Sequence, residues 1–295
     1  MTTVRALLAT LRDEFAAAGI EHPAQDAELL VGHVLGVSRG RVQALAVLDE
    51  SVSEADREAI HTLAAARAQR VPLQHLTGRA PFRDMELAVG PGVFVPRPET
   101  EVVAQFAIDE LRALPHPEPL AIDLCAGSGA LALALATEVP TARVWALEKS
   151  PEAHAWAARN VARYGDGRVQ LRLGAVEDLL RPGTTAAAFA PLRGRVQVLV
   201  SNPPYIPDDM VPRDPEVREH DPELALYGGP DGLDLVRVIS RVGRAFVAPG
   251  GLLVLEHAET QGAAIRSLLA ADGWRAPATH PDLTGRDRAT IARQP

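Results

Sequence analysis

Asp123-Leu124-Cys125-Ala126-Gly127-Ser128-Gly129 follows an apolar run at 120–125 and opens a helical pattern at 130–137. Glycines at 127 and 129 let the backbone turn tightly and approach a ligand that a Cβ would block. Glu148 ends the next β-like run, 143–148, at the spacing where an acid meets ribose hydroxyls in dinucleotide folds. Outward from this stretch the chain keeps alternating. Residues 169–173, 196–200 and 251–255 read as strands, 151–164 reads as a helix, and 274–279 with 288–293 reads as a closing hairpin. Alternation of this kind means a parallel sheet covered by helices on both faces.

The glycine turn has three readings: a nucleoside cofactor, a dehydrogenase, or a plain turn. The third glycine of G-x-G-x-x-G is absent, because Leu131 and Ala132 occupy that region. That tilts the reading away from NAD and toward S-adenosylmethionine, which has no phosphate. The loop would wrap the methionine part, and Glu148 would take the ribose.

Asn202-Pro203-Pro204-Tyr205 stands directly after the run at 196–201. In a doubly wound sheet the carboxyl ends of the strands form the ligand crevice. The prolines lack N–H donors and fix φ, which stiffens the loop. Asn202 through its side-chain oxygen and Pro203 through its carbonyl are expected to accept both hydrogens of one NH₂ group. An amide nitrogen is a poor nucleophile because its lone pair is delocalised. Two acceptors would favour pyramidalisation and aim the lone pair at the methyl donor, a gain chiefly of orientation. Tyr205 would cover the planar group or lie beside the sulfonium. The alternative is a Pro-rich turn leaving a strand. The expected reaction needs neither a metal nor a covalent nucleophile.

Toward the N-terminus the texture changes. Val4, Leu7, Leu8, Leu11 and Phe15 recur at helical spacing, as do Ala27, Leu29, Leu30 and Val34. Ser51 with Glu54 reads as a capping box for a third helix. Between 72 and 98, glycines and prolines interrupt Phe82, Met85, Leu87, Val89, Val93 and Val95, the pattern of a linking β-hairpin. The expected organisation is a helical domain at 1–71, a hairpin linker at 72–98, and a Rossmann-like methyltransferase domain at 99–295. A length of 295 residues accommodates two domains.

A formal charge of −8 counts against a protein that grips a nucleic-acid backbone, so no direct DNA binding is expected. No apolar run approaches the ~18 residues a membrane helix needs. Cys125, the only cysteine, excludes an internal disulfide. With no signal-peptide core after Met1, a cytoplasmic monomer that does not engage membranes is expected.

With these residues in view, the chain resembles the release factor glutamine methyltransferase family over nearly its full length. Beyond the two loops, the family's signatures stand at Pro96-Arg97-Pro98-Glu99-Thr100-Glu101, preceded by Pro72-Leu73-Gln74-His75-Leu76-Thr77-Gly78. Two more stand at Ala225-Leu226-Tyr227-Gly228-Gly229-Pro230-Asp231-Gly232-Leu233 and Leu283-Thr284-Gly285-Arg286-Asp287-Arg288. The resemblance implies N5-methylation of the glutamine in the Gly-Gly-Gln loop of bacterial peptide-chain release factors, with S-adenosylhomocysteine as product. It implies cofactor contacts at Cys125, Ala126, Gly127, Ser128, Gly129, Glu148 and Asn202, and substrate contacts at Asn202, Pro203, Pro204 and Tyr205. Phe94, Arg97 and Glu99 would border the pocket, and the helical domain would help hold the protein substrate. Two departures stand out. Relatives carry an acid after the third strand, facing adenine, whereas Gly174-Ala175-Val176 stands here, so Val176 is expected to offer the base an apolar contact. Relatives also read Glu-Pro where this chain has Asp221-Pro222. Competing readings are a ribosomal-protein glutamine methyltransferase, an adenine-N6 DNA methyltransferase, and a non-catalytic cofactor-fold protein.

Overall fold

The computed structural model describes residues 2–295. The chain forms two compact units. One runs through Arg79 and takes in Pro212–His220; the other holds Ala80–Val211 and Asp221–Pro295.

The first unit is helical: α1 (Val4–Ala17), α2 (Pro23–Leu35), α3 (Arg39–Val47), α4 (Glu54–Ala68) and α5 (Leu73–Thr77). The stripe on α1 is core, with Val4, Leu7, Leu11 and Phe15 buried against Leu30, Val31 and Ile60. The α4 cap falls two residues after the expected one: Ser53, not Ser51, accepts the Asp56 N–H at 3.1 Å. Helix α3 has no readable stripe, since Val42 alone is fully buried on it. Within this unit, Arg67 pairs with Asp26 and Glu216, both at 2.8 Å, and Arg70 also binds Glu216. Burial opposes ionisation of Glu216. Hydrogen bonds from Asp214, Arg70 and Arg67 outweigh it and bring the carboxyl down to about 2.

A two-stranded ribbon follows, β1 (Arg79–Phe82) and β2 (Met85–Ala88), so the 72–98 stretch holds a short helix, α5, ahead of its hairpin. Then come α6 (Thr100–Ala113), β3 (Leu120–Leu124), α7 (Ala130–Glu138), β4 (Arg143–Glu148), α8 (Pro151–Tyr164), β5 (Val169–Leu173) and α9 (Thr184–Phe189). The chain continues through β6 (Val196–Ser201), α10 (Pro215–His220), α11 (Glu223–Leu226), α12 (Asp234–Phe246), β7 (Val247–Glu256), α13 (Gly262–Ala271), β8 (Arg275–Pro281) and β9 (Asp287–Arg293). The strands form one sheet of order β5-β4-β3-β6-β7-β9-β8, parallel except where β9 pairs with β7 and β8. The central strands are buried on both faces, which is why they read as apolar runs without alternation. Helix α7 is buried from Ala130 through Ala136, apolar all round, as a helix enclosed by the core must be.

This order fixes where a ligand goes. The chain starts at β3, walks outward to β5, then returns to lay β6 against the other side of β3. The crevice of an open α/β sheet opens at that switch point. Leu124 registers with Ser201 across it, so the loops at 125–129 and 202–205 leave the sheet side by side.

Candidate active site

Glu148 ends β4 beside that crevice, with Leu147 in register with Leu124. Its Oε2 accepts the Gly127 N–H and its Oε1 the Ser150 N–H, both at 2.7 Å. Each carboxylate oxygen keeps a second lone pair, enough to receive a vicinal diol. Gly127 has φ +56, and a Cβ there would point into open space with no atom within 4 Å. The Ala126 N–H donates to the Leu147 carbonyl at 3.0 Å, and the Ser128 carbonyl accepts from Asn160 Nδ2 at 2.9 Å, which pins the loop at both ends. Gly129 closes the turn through a 2.7 Å bond to the Ala126 carbonyl. Cys125 sits at φ +64, and burial pushes its thiol up, so it contributes shape rather than a thiolate.

Asp123, the acid that opens the glycine motif, is fully buried. Its Oδ2 accepts the Ala132 N–H at the start of α7, 3.0 Å away, and its Oδ1 is buried without a hydrogen-bond partner. Burial pushes this carboxyl up to about 8; the Ala132 bond holds it back and the charge of Glu148 adds to the rise. A carboxylate on the N-terminus of α7 occupies the place where a dinucleotide fold seats its pyrophosphate. Val176 is buried, and beside it Asp178 accepts the Ala175 N–H at 3.2 Å.

On the other side of the switch point, Ser201 donates to the Leu124 carbonyl at 2.6 Å and joins the two loops at their roots. Asn202 is half-buried, Pro203 buried, and Pro204 and Tyr205 half-buried. Their backbone is held from behind. Gln261 Nε2 donates to the Tyr205 carbonyl at 2.8 Å, and the Ile206 N–H donates to the Leu226 carbonyl at 2.8 Å. A Cβ on Gly228 would stand 2.5 Å from the Pro204 carbonyl oxygen, and one on Gly232, at φ +72, would collide with that of Tyr205. Glycine at 228 and 232 therefore leaves room for the backbone of the 202–205 loop, while a Cβ on Gly229 would meet Asp234.

Burial raises the Tyr205 phenol, the charge of Glu256 adds to the rise, and those of Arg288 and Arg97 oppose it. The Arg97 guanidinium lies 5.0 Å over Phe94 and bonds Asp221 at 2.9 Å, so the departure from Glu-Pro leaves an acid that serves Arg97. Thr100 lies in the 96–101 signature with no role assigned to it, and Glu256 and Gln261 stand outside every motif. An acid closing the apolar run 251–255 is the signal that marks Glu256; nothing local marks the other two.

The first loop thus lies against Glu148, whose carboxylate keeps lone pairs for a diol, and the adjacent loop presents an amide and a stiff proline backbone to the same crevice. Those demands match S-adenosylmethionine, and the molecule is a Rossmann-like methyltransferase of the class that uses it. The chain is 46% identical over 297 residues to the release factor glutamine methyltransferase of Streptomyces coelicolor, covering 100% of this chain and 99% of that one. It is 42% identical over 278 residues to the enzyme of the same name from Bifidobacterium longum, covering 93% and 94%. The chain belongs to the release factor glutamine methyltransferase family. The model of the PrmC N-terminal domain matches residues 6–78. Among solved structures, the protein-(glutamine-N5) methyltransferase (release factor-specific) of Alicyclobacillus acidocaldarius is 27% identical, with a TM-score of 0.41 over 71% of this chain and 100% of that one.

Proposed function

We propose that this enzyme methylates N5 of the glutamine in the Gly-Gly-Gln loop of bacterial peptide-chain release factors. The observation that carries the reading is the Asn202–Tyr205 backbone, clamped by Gln261, Gly228 and Gly232 beside the cofactor loop. The cofactor supplies an electrophilic methyl on sulfur; the protein's task is to aim a weak nucleophile at it. Asn202 Oδ1 and the Pro203 carbonyl take the two amide hydrogens, Tyr205 covers the planar group, and the buttressed loop holds that geometry at little entropic cost. Cys125–Gly129, Glu148 and Val176 hold the cofactor. Phe94 and Arg97 border the substrate. The helical unit supplies binding surface for the rest of the release factor, which suits an acidic enzyme that selects a folded protein rather than a duplex.

The experiment is labelled methyl transfer to purified release factor, to duplex DNA of mixed sequence and to ribosomal proteins. Transfer to the release-factor glutamine alone is expected. Labelling of DNA adenine or of a ribosomal protein, with the release factor unlabelled, overturns the reading. Asn202→Ala should bind cofactor within a few-fold of the parent yet transfer methyl ~100-fold more slowly, since misaimed groups lose on that order. Transfer at the parent rate by Asn202→Ala removes the amide clamp.

A further inference from the structure

The clamp requires Asn202 to present its oxygen, yet a carboxamide has nearly the same shape either way round, and only hydrogen bonding chooses. The register of β6 with β7 sets Ser201 against Leu255, so Asn202 and Glu256 follow side by side at the strand ends. Thr100 opens α6 and is buried there; Asn202 Nδ2 donates to its Oγ1 at 3.4 Å, a long bond that carries direction more than energy. Glu256 is 2% exposed, and its Oε2 has no hydrogen-bond partner. Nothing in the clamp as drawn uses either residue.

We propose that Glu256, acting with Thr100, is a positioning residue that turns the Asn202 carboxamide so that Oδ1, not Nδ2, meets the amide being methylated. The inference rests on the clamp reading of Asn202. An ionised carboxylate only accepts. Thr100 has one hydrogen, which goes toward Glu256, leaving its lone pairs for Asn202. Asn202 must then offer its NH₂ on that side and its oxygen on the other. A protonated Glu256 carries a donor, and the chain of three groups is free to invert.

The surroundings make this order sensitive to pH. Burial pushes Glu256 up to about 7; hydrogen bonding from Thr100, the charge of Arg288 and hydrogen bonding from Asn202 hold it down, and Glu99 pushes it further up. The facing groups are thus Glu99 and Thr100 at the start of α6, Arg288 on β9, and Asn202 and Tyr205 after β6. Protonation as pH falls through about 7 releases the lock, so turnover declines on that acid limb.

The test pairs kinetics with a readout that needs no substrate. Glu256→Gln keeps shape and removes charge: kcat is expected to fall by roughly 10–100-fold, with KM for the protein substrate, cofactor affinity and melting temperature close to the parent's, and with the acid limb gone. Thr100→Ser keeps the parent rate, and Thr100→Val reproduces the Glu256→Gln loss. In an Asn202→Ala background, Glu256→Gln costs nothing further, because its route runs through Asn202. Multiplying losses in that background, or a parent profile flat through neutrality, overturns the proposal. Side-chain amide NMR of the enzyme alone should show the Asn202 NH₂ signals titrating near neutral pH in the parent and static in Glu256→Gln. Static signals in both overturn the proposal whatever the substrate. A normal titration combined with undiminished transfer by Asn202→Ala instead removes the clamp of the proposed function.

Discussion

Gly232→Ala reads directly on how the 202–205 loop is held. Its φ of +72 costs an alanine roughly 1–2 kcal/mol. The new Cβ would lie 2.6 Å from Gln261 Nε2 and nearer still to the Tyr205 carbonyl oxygen. A side-chain tip can swing away, but that carbonyl is backbone, so Tyr205 has to shift and its 2.8 Å bond from Gln261 is lost, about 0.5–1.5 kcal/mol more. Together the loss is about 1.5–3.5 kcal/mol, or roughly 3–14 °C of melting temperature for a unit of this size. A displacement near 1 Å at Tyr205 costs turnover on the order of 100-fold. The assay is single-turnover methyl transfer at 25 °C, well below the melt, alongside calorimetric cofactor binding, which should stay within a few-fold. Gly194→Ala is the control: φ is +65, no atom lies within 4 Å of its Cβ, and it precedes β6 at the opposite end of that strand. That variant should lose the backbone cost alone, with turnover intact. Equal turnover in Gly232→Ala and the parent would refute the buttress argument.

Other outcomes follow from the same geometry. Glu148→Ala should weaken S-adenosylmethionine binding by at least the ~1.5–3 kcal/mol of one charged hydrogen bond, since the Gly127 and Ser150 N–H groups lose their acceptor too; unchanged affinity by calorimetry removes Glu148 from the site. Asp123 has a folded-state pKa raised above the unfolded one, so its contribution to stability is lost as pH rises through about 8. Asp123→Asn should therefore melt higher relative to the parent at pH 9 than at pH 5, and a constant difference would show that burial does not hold its proton. Glu216 has the opposite sign: its contribution is present above the unfolded value of 4.5 and disappears as pH falls toward 2. Glu216→Ala leaves Arg67 and Arg70 short of an acid and should cost up to about 3–5 kcal/mol at neutral pH, read by denaturant unfolding; a neutral effect would make the ion pairs ornamental.

Much of the sheet was legible because β3, β4 and β6 are buried on both faces and so appear as apolar runs, broken inside only by Asp123 and Gln197. Helix α3 was not, because one buried valine makes no stripe. Helix α5 hid in a stretch whose prolines and glycines read as hairpin. In the site, Gly127, Glu148 and Asn202 announced themselves by position along single strand-to-loop junctions. Gln261 and Thr100 could not: one reaches Tyr205 across 56 positions and the other meets Asn202 across 102. Only strand order brings such residues together, and strand order is a property of the whole chain. The 228–232 glycines were visible as a signature, but the reason for Gly228 and Gly232, a carbonyl lying where a Cβ would be, exists only in three dimensions.

The assignment of Pro212–His220 to the helical unit means that the polypeptide passes between the two units three times, after Arg79, after Val211 and before Asp221. A helical domain that could be lifted out as one continuous piece would need a single passage. Proteolysis after Arg79 would release a fragment without Glu216, leaving Arg67 and Arg70 short of their acid in a small five-helix core. The helical unit in this architecture is therefore hard to exchange as a cassette. A graft of residues 1–79 onto another methyltransferase would have to carry the nine-residue insert along with it, placed seven residues downstream of the Tyr205 position.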